Sequence, residues 1–224
     1  MPLTLYYHPL SSFCHKVLIA LYENETPFSG EVLNLQDRQA SAQFLDRWPL
    51  GKIPVLYDAQ RDRTIPETSI IIEYLQQHYP GSKPLLPRDL NEQLETRLWD
   101  RFFDLYLQVP MQKIVGDRLR PAGQKDSTGV EDARSVLRTA YGILEKRMAN
   151  RTWIAGQAFS LAECAAAPAL FYSTIVMPLP TQCLQLMQYF ERLMERASMQ
   201  RVIAQARPFF DYFPYKESIP KRFL

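Results

Sequence analysis

Residues 79–89, YPGSKPLLPRD, carry three prolines and a glycine and divide the chain into two stretches of different texture. Such punctuation ends a helix and reads as a linker. Before it, short β-compatible runs alternate with helical stripes. The pattern predicts strands over 3–7, 30–35, 52–58 and 63–65, and helices over 12–21, 38–46 and 67–78. The order β-α-β-α-β-β-α over about 80 residues implies a compact α/β unit with a mixed sheet. After it, no alternating run suggests a strand between 90 and 206. Helical periodicity predicts helices over 90–118, 129–150, 161–175, 181–197 and 199–206, with kinks expected at Pro110 and Pro168. The tail 207–224, with Phe209, Phe210, Tyr212, Phe213 and Tyr215, reads as irregular chain packed over one domain. The expected architecture is α/β followed by all-α: domains over 1–79 and 90–224 joined by a linker over 80–89.

Charge and cysteine usage remove several function classes. A net charge of +2, with basic residues interspersed among acids as in RDLNEQLETRLWDR, gives no basic face for nucleic acid. That run reads instead as a solvated helix face. Cys14, Cys164 and Cys183 are far apart and odd in number, which argues for a reducing compartment and against a disulfide framework. Three histidines at no metal-ligand spacing give no case for a metal site. The N-terminus lacks the pattern of a secretory signal. The most apolar run, 164–177, falls short of the ~18 residues that suggest a membrane span. A cytoplasmic protein without a membrane segment is expected.

The first stretch, LTLYYHPLSSFCHKVLIAL over 3–21, carries the chemistry. His8-Pro9 ends the strand, and Ser11 or Ser12 stands where an N-cap belongs, ahead of a buried stripe at Phe13, Val17, Leu18, Ala20 and Leu21. A helix N-terminus presents free N–H groups and a positive dipole end to an anion. If that anion is a thiolate, a serine hydroxyl there activates a sulfur nucleophile. Lowering a thiol pKa by about two units takes roughly 2.7 kcal/mol. A hydrogen bond to a charged group supplies about 1.5–3 kcal/mol and the helix end about 0.3–1. No general base is needed. Cys14, three residues further on, reads as a small packing residue. His15 cannot serve as its base, because neighbours on a helix project apart. Ser160 and Glu163 form a capping box that opens an Ala-rich buried helix.

Four local patterns in this order resemble the cytosolic glutathione S-transferase family, of the bacterial, serine-type kind. They are SSFCHKVLIAL, the Gly51-Lys52-Ile53-Pro54-Val55-Leu56 loop, Pro66-Glu67-Thr68, and Phe159-Ser160-Leu161-Ala162-Glu163-Cys164. The resemblance covers nearly the whole chain. It implies a thioredoxin-like N-terminal domain, an all-helical C-terminal domain, a homodimer, and a detoxifying transferase with glutathione as co-substrate and no metal. Ser11 matches the activating serine, with Ser12 and Tyr7 as alternatives. Lys52, Ile53, a cis Pro54, Glu67 and Thr68 match the glutathione site. Glu67 would take the ammonium, Thr68 one carboxylate and Lys52 the other, while Ile53 would pair with the peptide backbone. Leu10, Phe13, Phe103, Tyr106, Met111 and Val115 are the expected pocket for a hydrophobic electrophile. The chain departs from the family at Trp48, where Asn is common, and at Thr68 and Glu163, which keep the chemical function of Ser and Asp.

Overall fold

The computed structural model describes residues 1–34 and 38–224. Its N-terminal part is a four-stranded sheet, β1 (Leu3–Tyr7), β2 (Ser29–Val32), β3 (Val55–Asp58) and β4 (Arg63–Pro66), in the order β2-β1-β3-β4. β1 runs parallel to β2 and antiparallel to β3, and β3 and β4 form a hairpin. The second strand expected over 30–35 is shorter and begins one residue earlier. All four of its residues are exposed, and Leu35 lies outside the described residues. Helices α1 (Ser12–Glu23), α2 (Arg38–Arg47) and α3 (Thr68–His78) complete this half. Leu3 and Leu5 of β1 and Leu56 of β3 share one buried face with Val17, Leu18 and Leu21 of α1 and Ile71, Ile72 and Leu75 of α3. Alternation at period two meets helical stripes there, as the sequence pattern requires. Buried Asp58 fastens α3 to the sheet by accepting 2.7 Å bonds from both Tyr74 and Tyr79. Burial opposes its ionisation, but those donors prevail and hold its carboxyl down at about 2.

The second half is helical: α4 (Leu90–Phe103), α5 (Val109–Leu119), α6 (Ser127–Met148), α7 (Leu161–Val176), α8 (Leu184–Met194) and α9 (Ala197–Ala206). The single helix expected over 90–118 is two helices joined by a π turn, Asp104–Gln108. Pro110 sits in the first turn of α5 behind that turn, so the ladder widens where proline removes a donor. Pro168 lies inside α7. The tail winds through short 3-10 turns between Arg207 and Phe223, and Phe210, Phe213 and Phe223 are buried.

Helix α1 joins the halves. It packs on α3 below and on α7 and α9 above, which is why ten of its twelve residues are buried. At its C-terminal end Glu23 accepts from Arg196 at 2.8 and 2.6 Å and from Ser198 at 2.5 Å, and Tyr22 donates to Gln205 at 2.8 Å. Its N-terminal end is left to face a cleft.

Candidate functional site

A cleft of roughly 630 Å³ opens between the two halves. Ser11 lines it as the N-cap of α1, with extended backbone at φ −79° and ψ 117°. Its hydroxyl oxygen accepts from the Cys14 amide at 3.3 Å, so its proton remains free to donate. The next residue, Ser12, is the first of the helix and is buried. Tyr7 ends β1 outside the cleft lining, its ring close against Gly30. Burial first, then Tyr22 and Cys14, push its phenol upward. That disfavours a phenolate.

Facing Ser11 is the entry to β3. The Ile53–Pro54 bond is cis, and Lys52, Ile53 and Pro54 line the cleft with Trp48. Trp48 packs with Ile53 on a small cluster of Leu33, Phe44 and Val55, so an indole replaces the polar contact that an Asn makes. At the third corner, Glu67 is held at φ +67°. Such a backbone in a residue other than glycine is sparsely populated and gathers at ligand sites. Glu67 caps α3 through its carbonyl, which accepts from Ile71 at 2.8 Å, while its carboxylate makes no cap bond. Thr68 opens the helix and is buried at the cleft floor. Among the described residues, the side chains of Lys52, Glu67 and Thr68 have no protein partner. Polar groups gathered in a cleft and left unpaired suit a ligand that brings their complements.

The helical wall differs from expectation. Residues Arg101, Asp104, Leu105, Val109 and Gln112 face the cleft, with Phe13 from α1 and Ser69 and Ile70 from α3. Of the pocket residues read from helical spacing, only Phe13 is there. Phe103 is fully buried and Met111 nearly so, both in the core. Leu10 and Val115 are half-buried against that core. Tyr106 lines a separate apolar groove between α4 and α6. The π turn explains the displacement: it adds a residue to one turn and rotates everything after it relative to a straight α-helix.

Behind this wall lies an ionic cluster that the sequence concealed. Fully buried Lys16 places Nζ 2.6 Å from Asp100 Oδ1 and 2.7 Å from Asp104 Oδ2, and donates to Ser69 at 3.0 Å. Ser69 donates on to Asp100 at 2.6 Å. Burial pushes the Asp104 carboxyl up, against the pull of Lys16. Asp100 belongs to the run read as a solvated face, yet it is buried. Its partners stand in α1 and α3, beyond the reach of any local pattern.

The remaining candidates are structural. Cys14 is buried and its thiol is pushed up to about 12 by burial. His15, also buried, has Nε2 2.5 Å from the Pro9 carbonyl, and burial lowers it to about 4. Ser160 and Glu163 close the expected capping box: Glu163 accepts from the Ser160 hydroxyl at 2.6 Å and the Ser160 amide at 2.9 Å. All three cysteines are free thiols, and no metal-holding group occurs among the described residues. No described helix is long and apolar enough to cross a membrane.

A thioredoxin-like sheet domain, a helical domain and a polar cleft between them define a class, and sequence comparison agrees. Residues 5–83 match the glutathione S-transferase N-terminal domain and residues 102–197 the C-terminal domain. The chain belongs to the glutathione S-transferase family and is a glutathione transferase. It is 33% identical over 180 residues to FtsZ-localized protein A of Caulobacter vibrioides, covering 75% of each chain. It is 24% identical over 206 residues to glutathione S-transferase GstB of Escherichia coli, covering 90% of this chain and 97% of that one. A glutathione S-transferase from Methylobacillus flagellatus, solved with glutathione bound, superposes with a TM-score of 0.81 at 25% identity, over 89% of this chain and 98% of that one.

Proposed function

We propose that the cleft binds glutathione as its thiolate, with Ser11 donating to the sulfur, and that the thiolate attacks a largely apolar electrophile. One observation carries the reading: a free hydroxyl at a helix N-terminus shares a cleft with an unpaired ammonium, carboxylate and hydroxyl. Glutathione brings two carboxylates for Lys52 and for the Thr68 end of α3, and an ammonium for Glu67. Its backbone can pair with Ile53 beside Pro54. The thiol proton leaves to solvent, the sulfur–carbon bond forms, and the leaving group departs with its electron pair. Phe13, Leu105 and Val109 give the acceptor an apolar wall, and Ser12 and Tyr7 are less well placed than Ser11. The test is conjugation of 1-chloro-2,4-dinitrobenzene by Ser11→Ala. A loss of kcat at nearly constant glutathione Kd supports the assignment; full turnover excludes it.

A homodimer in the cytoplasm completes the proposal. Leu90, Leu94 and Leu98 are 73%, 65% and 58% exposed along one face of α4, beside the groove lined by Phe102, Tyr106, Val136 and Ile143. A second copy would cover that face, and light scattering should give twice the chain mass. The Caulobacter relative favours one further reading, in which the fold serves as a protein-binding module. Co-sedimentation with FtsZ polymers, unaffected by substitution of Ser11 and Glu67 and without conjugating activity, would select it.

A further inference from the structure

The turn that delivers Ser11 to the cleft is built around His8. Its carbonyl accepts from the Ser11 amide at 3.0 Å, closing a tight turn with Pro9 at the second position. Its ring turns back and Nδ1 accepts from the Leu10 amide at 3.2 Å. That bond requires a neutral imidazole with its proton on Nε2. From outside, the imidazole meets Phe209 of the C-terminal tail edge-on, with ring centroids 5.4 Å apart at 72°. The tail therefore reaches the loop that carries the candidate activating hydroxyl.

We propose that His8 is a positioning residue: as a neutral imidazole wedged against Phe209, it fixes the turn that presents the Ser11 hydroxyl to the cleft. The inference rests on the assignment of Ser11. Protonation of Nδ1 would set two donors against each other, N–H to N–H, and release the Leu10 amide. The groups around the imidazole are the Leu10 amide, the Phe209 ring and the Cys14 thiol, which bonds the His8 carbonyl. Burial alone lowers its pKa, so the turn stays intact at neutrality and opens only in acid. The Asp100 and Asp104 carboxylates nearer the cleft are engaged by Lys16.

Asparagine separates this role from a merely structural one. An Asn oxygen can accept from the amide two residues on, as in an Asx turn, without titrating. His8→Asn should keep turnover at neutral pH within about twofold of the parent. His8→Leu, lacking the acceptor, should lose between about 10- and 100-fold in kcat, as misplacement of a reacting group does, with glutathione Kd little changed. In the parent protein the acid limb of log kcat/KM against pH should steepen from a slope of one to two as His8 titrates, and His8→Asn should stay at one. Ultraviolet absorbance of bound thiolate follows the same effect without turnover: its onset should move to higher pH in His8→Leu only. Wild-type behaviour of His8→Leu, equal impairment in both variants, or a slope of two retained in His8→Asn would overturn the proposal. Ser11→Ala is measured in parallel. If it alone is impaired, only the role of His8 falls; if it is fully active, the assignment of Ser11 falls and that of His8 with it. Should His8→Leu fail to fold, the slope in His8→Asn decides.

Discussion

Two serines in this chain hold the same position on two helices and meet different fates. Ser11 caps α1 and Ser160 caps α7, and each accepts from a main-chain amide of its helix at 3.3 and 3.2 Å. Ser160 is buried and its proton is committed to Glu163, which also takes the amides of Ser160 and Ile154 and the Tyr189 hydroxyl at 3.3 Å. Ser11 stands at a cleft with its proton uncommitted. An N-cap whose bonds are all made within the protein stabilises the fold; one left with a donor to spare can act on a ligand. The residue type does not separate the two. The presence of an internal acceptor does.

Substitutions at each end should break or sharpen this contrast. The largest effect is expected at Glu163. Glu163→Ala strands several buried donors and should cost about 3–5 kcal/mol by denaturant titration. Burial first, against its donors, raises that carboxyl from 4.5 to about 7. Between those values the folded state holds a proton that the unfolded state has released, so stability should fall as pH rises through the window and level off above it. That slope should be absent from the variant. Next, Ser11→Ala should lower kcat by about 10²–10³-fold, the scale for losing one donor to a reacting anion, with the denaturation midpoint nearly unmoved. Ser160→Ala should cost about 1–2 kcal/mol of stability and leave kcat and glutathione Kd as they were. Smallest, Glu67→Gln should weaken glutathione about tenfold by calorimetry, close to 1.4 kcal/mol for one charge-assisted contact. Turnover lost in Ser160→Ala at unchanged stability would erase the contrast, as would a stability loss in Ser11→Ala equal to that at Ser160.

The sequence exposed what local chemistry controls. Strand alternation in 3–7, the stripe of α1, the proline-rich linker and the Ser160-Glu163 box each lie within a few residues, and each stands in the structure. The Lys52, Glu67 and Thr68 corner was legible because a loop and a helix start display it locally. The helical wall was not. Apolar residues at period 3.6 report burial, so the spacing selected Phe103 and Met111, which belong to the core. The residues that reach the cleft, Arg101, Leu105, Val109 and Gln112, follow a π turn whose extra residue leaves no mark in the hydrophobic pattern. The bonds of Lys16 to Ser69 and Asp104 span 53 and 88 positions, and charged side chains give no advance sign of which partner will bury them. His8 read only as the end of a strand, because its ring bond two residues on depends on the turn already being formed.

The outer strand β2 has a consequence for how the protein behaves in concentrated solution. Its four residues are exposed, its outward side lacks a strand neighbour, and such a border invites another molecule to extend the sheet. Brevity and the charge of Glu31 discourage that. Gly30 adds little grip of its own and cannot be enlarged freely, since a Cβ there would come within 3.0 Å of the Tyr7 ring. The opposite border ends in Pro66, which has no amide hydrogen to offer. Both rims of the sheet thus resist polymerisation by different means, leaving the leucine-bearing face of α4 as the surface that should govern self-association.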